Sequence, residues 1–232
     1  MKKLFKNRPL SILTLFGILA WLNTACQEEK APVKTREAAR VITGIDLSGT
    51  TEGFTRADTA WFRQVINICQ ASKRPVELAF RAVGNPSDSA FIRLNLKALP
   101  HKDNDMTEQR QGDVQSEINR IRRENASEIE RFQKHVQALL QKTDDAYTDI
   151  NGFFSRSNNL ISENKGIKTI VFLQTDGKHD TKNSSVLDCG LLNKTCFMAV
   201  SGWKNPTICR FDGTPEAPEG FLQILKQQLE KD

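Results

Sequence analysis

The sequence predicts an α/β fold with a doubly wound, mostly parallel sheet and one long additional helix. Strand-like and helical patterns alternate between residues 40 and 230, which is typical of folds in which helices connect parallel strands. Residues 167–174 form a nearly continuous apolar run, as expected of a strand that helices cover on both faces. Residues 113–143 contain neither glycine nor proline and add one long helix.

Five strands are predicted from the local pattern of apolar residues. The first, 40–46, is rich in β-branched residues and ends in an acid. The next two, 75–83 and 90–98, alternate between apolar and polar residues. The last two, 167–174 and 195–202, are apolar almost throughout. Together these runs supply the sheet.

Helices are predicted where apolar residues recur at helical spacing. Residues 57–70 and 217–230 show this spacing, and a further helical stretch begins just after Thr148 and Asp149. The periodic positions of the first two are Trp61, Val65, Ile66, Cys69, Phe221, Leu222, Leu225 and Leu229. Each helix is therefore expected to bury one face against the sheet.

The long helix over 113–143 would measure about 45 Å, which is more than a small domain needs. We expect it either to project or to break near Asn125, where the phase of its apolar positions is irregular. Its charged residues mix both signs, which favours a helix with a solvated outer face and an apolar inner face. A coiled-coil-like partner surface is the alternative interpretation.

The N-terminus has the pattern of an export signal. Residues 1–8 are basic, and the uncharged apolar run 9–22 would span about 21 Å as a helix, short of a hydrocarbon core of roughly 30 Å. The small residues Thr24 and Ala25 precede Cys26, which resembles a bacterial lipoprotein signal. The resemblance implies that Cys26 is lipidated and becomes the new N-terminus. A plain signal peptide with an incidental cysteine is the alternative.

Three segments follow from this pattern: a signal peptide at 1–25, a lipidated cysteine with a flexible tether at 26–39, and a folded domain at 40–232. The predicted location is the bacterial cell envelope, with a lipid anchor on the periplasm-facing outer membrane or the cell surface.

The formal net charge is +5, but four of the 33 basic residues and none of the 28 acidic ones precede Cys26. The remaining chain is close to neutral, which argues against nucleic acid as a partner.

Four cysteines remain beyond Cys26, and an exported chain meets an oxidising compartment, so disulfides are expected. Sequence alone leaves three pairings open. We favour Cys189 with Cys196, because both lie in one loop-rich stretch, and then Cys69 with Cys209.

Oxygen-bearing side chains follow two of the predicted strands. Asp46, Ser48 and Thr50 lie at alternate positions after the first strand, and Asp176 follows the strand at 167–174. Thr148 precedes a helical stretch. Because ligands of open α/β sheets bind at the carboxyl edge, we expect these three segments to meet there. Their carboxylates and hydroxyls suit a hard cation such as Mg²⁺.

These segments carry a family resemblance. Asp46-Leu-Ser48-Gly-Thr50 resembles the Asp-x-Ser-x-Ser motif of von Willebrand factor A domains, the fold shared with integrin inserted domains. Thr148 resembles that family's second-loop threonine, and Asp176 resembles its third-loop aspartate. Two departures are Thr50 in place of the usual second serine and the long helix in place of shorter elements.

The resemblance implies a metal-ion-dependent adhesion site. By analogy, Ser48 and Thr50 coordinate the ion directly, and Thr148 does so directly or through water. Asp46 and Asp176 bind the ion or hold its waters. An open coordination position would then accept a carboxylate from a protein ligand. The expected ion is Mg²⁺ or Mn²⁺, with Ca²⁺ as a further candidate.

Other functions remain open at this point. A metal-dependent phosphoryl-transfer enzyme could use the same Asp46 and Asp176, and a structural lipoprotein could retain a vestigial site. Asp46, Ser48 and Thr50 could also simply close a turn and cap a helix. Residues 44–51 also resemble the first phosphate loop of actin-like sugar kinases, but no second such loop appears. We expect no enzyme, because this loop stands alone and Ser48 lacks the Gly-x-Ser-x-Gly frame.

Overall fold

The computed structural model describes residues 36–48, 57–84, 90–100, 107–141, 148–178, 189–190, 192–203 and 209–231. The chain divides into two units, 1–34 and 35–232, and all described residues belong to the second. Cys26, Thr50 and the predicted export signal lie outside the described residues. No described helix is both long enough and apolar enough to cross a membrane.

The described strands form one five-stranded sheet. They are β1 (Ala39–Asp46), β2 (Val76–Val83), β3 (Ile92–Leu96), β4 (Lys168–Gln174) and β5 (Cys196–Ser201). Their order is β3-β2-β1-β4-β5, and every neighbouring pair is parallel except β2 with antiparallel β3. The predicted α/β fold with a mostly parallel sheet is thereby confirmed, and the strand ends differ from the predicted ones by at most two residues.

Helices cover both faces of the sheet. They are α1 (Thr59–Ala71), α2 (Glu108–Leu140), α3 (Ile150–Glu163), the short α4 (Leu192–Thr195) and α5 (Pro218–Glu230). One core cluster joins the sheet to α1, α5 and the second half of α2 through Trp61, Phe132, Phe172 and Phe221. The other joins the opposite face to α3. This second face carries the candidate site.

Central strand β1 distributes its side chains between the two clusters. Val41 and Ile45 enter the first cluster, whereas Ile42 enters the second. Gly44 makes room for α3, because a Cβ atom there would lie 2.5 Å from the Phe153 ring. Since strand side chains alternate, Asp46 projects on the same side as Ile42 and Gly44, towards α3.

The long helix α2 begins and ends earlier than predicted, at residues 108 and 140 rather than 113 and 143. It does not break at Asn125. That buried side chain accepts a hydrogen bond from the Lys97 backbone N–H and donates one to the Lys97 carbonyl, both at 3.1 Å. A polar residue therefore suits this inner position, because the Asn125 side chain hydrogen-bonds both backbone groups of the residue that follows β3. Ile118, Phe132 and Val136 are buried, while residues 107–113 are exposed.

The favoured disulfide pairings were wrong. Cys189 pairs with Cys209, and Cys69 and Cys196 are free thiols. Cys69 lies on α1 within the first core cluster, whereas Cys209 belongs to the second cluster, so the sheet separates them. Cys189 and Cys209 share a cluster, and their Cα atoms are 5.9 Å apart.

Candidate metal-binding site

Asp46 occupies the carboxyl end of the central strand and is completely buried. Its Oδ1 atom accepts a hydrogen bond from the Ser48 backbone N–H at 2.9 Å, and the Ser48 hydroxyl also bonds to the carboxylate. This local turn folds Ser48 back over Asp46, and Ser48 is itself buried. The first predicted segment therefore forms a compact arrangement of oxygen atoms at the edge of the sheet.

The segment before α3 brings Thr148 to the same carboxylate. The Thr148 hydroxyl donates to Asp46 Oδ1 at 3.4 Å, and Thr148 is buried. Its position is fixed from the C-terminal side, because Asp149 caps α3 by accepting from the Gly152 N–H at 2.8 Å. Buried Phe153 then holds the first turn of α3 against β1.

The loop after β4 supplies a third hydroxyl, which the sequence analysis missed. The Thr175 hydroxyl donates to Asp46 Oδ2 at 2.7 Å and accepts from the Gly177 N–H at 3.1 Å. Ile45 on β1 is in register with Gln174 on β4. The residues that follow them, Asp46 and Thr175, therefore lie side by side. Thr175 could have been found only by knowing that β4 neighbours β1.

Asp176 lies directly beyond Thr175. Its Oδ1 atom accepts from the Lys178 backbone N–H at 2.9 Å. Its Oδ2 atom is buried and accepts no hydrogen bond from a described residue. The Lys178 ammonium lies 3.5 Å from that atom, but its side chain is 70% exposed, so water screens this ion pair.

The site concentrates negative charge. Burial raises the pKa of Asp46, the hydrogen bonds from Ser48 and Thr175 oppose that rise, and the nearby Asp176 charge adds to it. Two carboxylates that repel each other in a buried place are stabilised when a cation lies between them.

The residues present fit a divalent cation. All donors are carboxylate or hydroxyl oxygens, the ligands that Mg²⁺, Mn²⁺ and Ca²⁺ prefer. Asp176 Oδ2 is a buried acceptor to which no described residue donates a hydrogen bond. Within the described part of the chain, no three His, Cys, Asp or Glu side chains cluster for an ion, so this set depends on its hydroxyls.

Four of the five predicted site residues are described. The structure brings Asp46, Ser48 and Thr148 into contact and places Asp176 beside them. Thr50 lies outside the described residues. The role of all five as metal ligands stays a prediction.

No protein-family model matches the chain, and no curated protein matches it. Among solved structures, it is similar to proximal thread matrix protein 1 from the mussel byssus, at 10% identity and a TM-score of 0.40 over 85% of this chain and 47% of that one. Another structure of that protein has a zinc-occupied MIDAS motif.

The chain is also similar to the pilus adhesin SpaC from Lactobacillus rhamnosus GG, at 12% identity and a TM-score of 0.44 over 85% of this chain and 30% of the adhesin. An aerotolerance-related membrane protein from Bacteroides fragilis NCTC 9343 aligns at 9% identity and a TM-score of 0.38, over 84% of this chain and all of that one. The chain thus spans less than half the length of the byssus protein and the adhesin. Because all these likenesses are distant, function has to be inferred from the side chains.

Proposed function

We propose that this chain is an exported, lipid-anchored binding protein that holds a divalent cation at the edge of its sheet and binds a protein partner through it. One observation carries the proposal. Buried Asp46 receives hydroxyl groups from three separate segments, at Ser48, Thr148 and Thr175, next to a carboxylate oxygen of Asp176 that accepts no hydrogen bond from a described residue.

Each side chain has a role in this proposal. Asp46 and Asp176 supply the negative charge, and the hydroxyls of Ser48, Thr50 and Thr148 complete an oxygen donor set. Thr175 orients Asp46 through its short hydrogen bond. When bound, the cation offers an open position at which a carboxylate can replace water. The partner is therefore expected to present an acidic side chain.

The proposed location rests on the sequence. Cys26 follows an apolar run and two small residues, which supports processing as a lipoprotein in the bacterial cell envelope. Mass spectrometry of the membrane fraction tests this part separately. A diacylated N-terminal Cys26 is expected, and an unmodified cysteine on a soluble product would contradict the anchor.

The experiment for the site measures thermal unfolding in chelator and with added Mg²⁺ or Mn²⁺. A ligand at 100 times its Kd adds about 2.7 kcal/mol to the free energy of unfolding, or roughly 5–10 °C for a domain of this size. The Asp46→Ala variant should lose this shift. Unchanged shifts in the variant would remove the site.

Asp212→Ala is a matched control. Asp212 accepts a hydrogen bond from the Met198 N–H at 3.0 Å, so its loss should lower the melting temperature without touching the site. Its metal-dependent shift should equal that of the parent. Phosphatase activity that requires metal and Asp46 would favour the phosphoryl-transfer alternative over binding.

A further inference from the structure

An aromatic side chain lies against the loop that carries Asp176. A Cβ atom built on Gly177 would lie 2.2 Å from Trp203 Nε1, so the indole ring rests directly on the backbone of Gly177. Gly177 has a φ of +81°, a conformation that glycine adopts at no steric cost. The residue after Asp176 is thus shaped to receive the indole.

The chain delivers Trp203 to this place from the neighbouring strand. Gly202 follows β5 with a φ of +87°, which turns the chain out of the sheet immediately before Trp203. Because β5 is parallel to β4 and adjacent to it, their carboxyl ends share one edge of the sheet. Trp203 and the candidate ion site therefore lie along the same edge.

Trp203 does not stand alone. Its ring packs edge-on against Phe211, with 5.7 Å between centroids, and both residues are partly exposed. The other described tryptophan, Trp61, is 2% exposed within the core. The exposed Lys178 and Arg210, which lie close to these rings in sequence, pair with Asp176 at 3.5 Å and with Asp212 at 3.8 Å, so these two ion pairs add no net charge. The rings therefore suit an apolar side chain of a partner, whose acidic group would be bound by the ion.

We propose that Trp203 and Phe211 form an aromatic contact surface beside the ion and select partners in which a large apolar side chain adjoins the coordinating carboxylate. This inference rests on the proposed function and specifies its partner. Tryptophan is enriched among the residues that dominate binding energy at protein interfaces, since it buries a large area with few rotatable bonds. The apolar neighbour of the partner's acid would bury its surface on these rings.

The test uses two short peptides with blocked ends, in which one glutamate is followed by phenylalanine or by glycine. The protein is the full chain with Trp21→Phe, which leaves Trp61 and Trp203 as its tryptophans. Calorimetry in Mg²⁺ should give a Kd about fivefold lower for the phenylalanine peptide. That peptide should also change the fluorescence of Trp203, and a glutamine analogue should not bind.

Phe211→Ala should abolish the fivefold difference while the glycine peptide binds as before. Trp203→Leu, measured by calorimetry, should do the same if Phe211→Ala proves too unstable to study. Phe91→Ala is the matched control, because Phe91 is also partly exposed and packs on Phe153, but lies beside β3, at the edge of the sheet opposite β5. It should retain the full preference for the phenylalanine peptide.

The two proposals fail in different ways. Without a Mg²⁺-dependent melting shift in the parent, the metal site itself is refuted. If that shift is present but both peptides bind equally, only the aromatic surface is refuted. If the shift is present and neither peptide binds, the aromatic surface and the binding of a carboxylate at the ion are both refuted, while the metal site stands. A preference that survives in both Phe211→Ala and Trp203→Leu also overturns it.

Discussion

The two ends of β1 bury opposite charges in different ways. At the start of the strand, Arg40 donates to Glu77 at 2.7 Å and to the Leu160 carbonyl at 2.5 Å. At its end, Asp46 receives hydroxyls and a backbone N–H, and the charged neighbour that raises its pKa is another carboxylate, Asp176. Both residues are at most 3% exposed.

This difference separates a buried charge that an opposite charge neutralises from one that the described residues only hydrogen-bond. The charge of Arg40 is neutralised within the fold, so that end of the strand needs nothing further. At the Asp46 end, the exposed Lys178 pairs with Asp176 rather than with Asp46. An uncompensated buried charge is costly, and a bound cation relieves that cost.

The largest effect is expected at the start of the strand. Arg40→Met leaves Glu77 partly buried without its main partner and should reduce the free energy of unfolding by about 4 kcal/mol, measured by urea denaturation. The melting shift caused by Mg²⁺ should persist, because this end takes no part in the site.

Arg93→Met provides the matched control for that change. Arg93 also contacts Glu77, at 3.7 Å, but its side chain is 44% exposed. Its removal should cost less than about 1 kcal/mol. Equal costs for both variants, or loss of the Mg²⁺ shift in Arg40→Met, would contradict the distinction between the two ends.

How far the sequence could predict these features depends on their range. The pattern of apolar residues predicted every described strand and the longer described helices, because it records which side chains face the core. The start of α2 was misplaced because its first residues, 108–112, are polar and include Gly112, so they carry no apolar pattern. There the helix is set instead by Thr107, whose side chain accepts from the Arg110 N–H.

The long-range features required knowledge of which strands are neighbours. Asp46 and Asp176 were predicted as site residues because each follows a strand. Thr175 was missed because its importance comes from the pairing of β4 with β1. The pairing of Cys69 with Cys209 was wrong for a related reason, since sequence does not say which face of the sheet each cysteine occupies.

A smaller effect is expected from Thr175→Val, which removes the hydroxyl that donates to Asp46 but preserves its shape. The loss should be about 1.5–3 kcal/mol in the chelated protein, because a hydrogen bond to a charged group disappears. The apparent affinity for Mg²⁺ should also fall, as the Asp46 carboxylate loses its orientation. Thermal unfolding over a Mg²⁺ titration measures both.

Thr169→Val is the counterpart at the other end of β4. Its hydroxyl donates to the Ile167 carbonyl at 3.1 Å and is also buried. This variant should cost about 1 kcal/mol and leave the Mg²⁺ affinity unchanged. If both threonine variants alter the affinity equally, Thr175 has no specific role at the site.

The smallest effect is a change in pH dependence. Because the folded-state pKa of Asp46 is raised above its unfolded value of 3.8, the folded protein retains this proton longer than the unfolded chain. In chelator, Asp46 therefore lowers stability as pH rises above about 4, and the penalty is complete once pH exceeds the folded pKa. Asp46→Asn should flatten that decline between pH 4 and 7. Denaturation of both proteins in chelator measures the difference, and saturating Mg²⁺ should remove the decline in the parent. If the stability of the parent and that of Asp46→Asn change with pH in the same way over this interval, ionising Asp46 carries no penalty. The fold would then already compensate the charge of Asp46, as it does for Arg40.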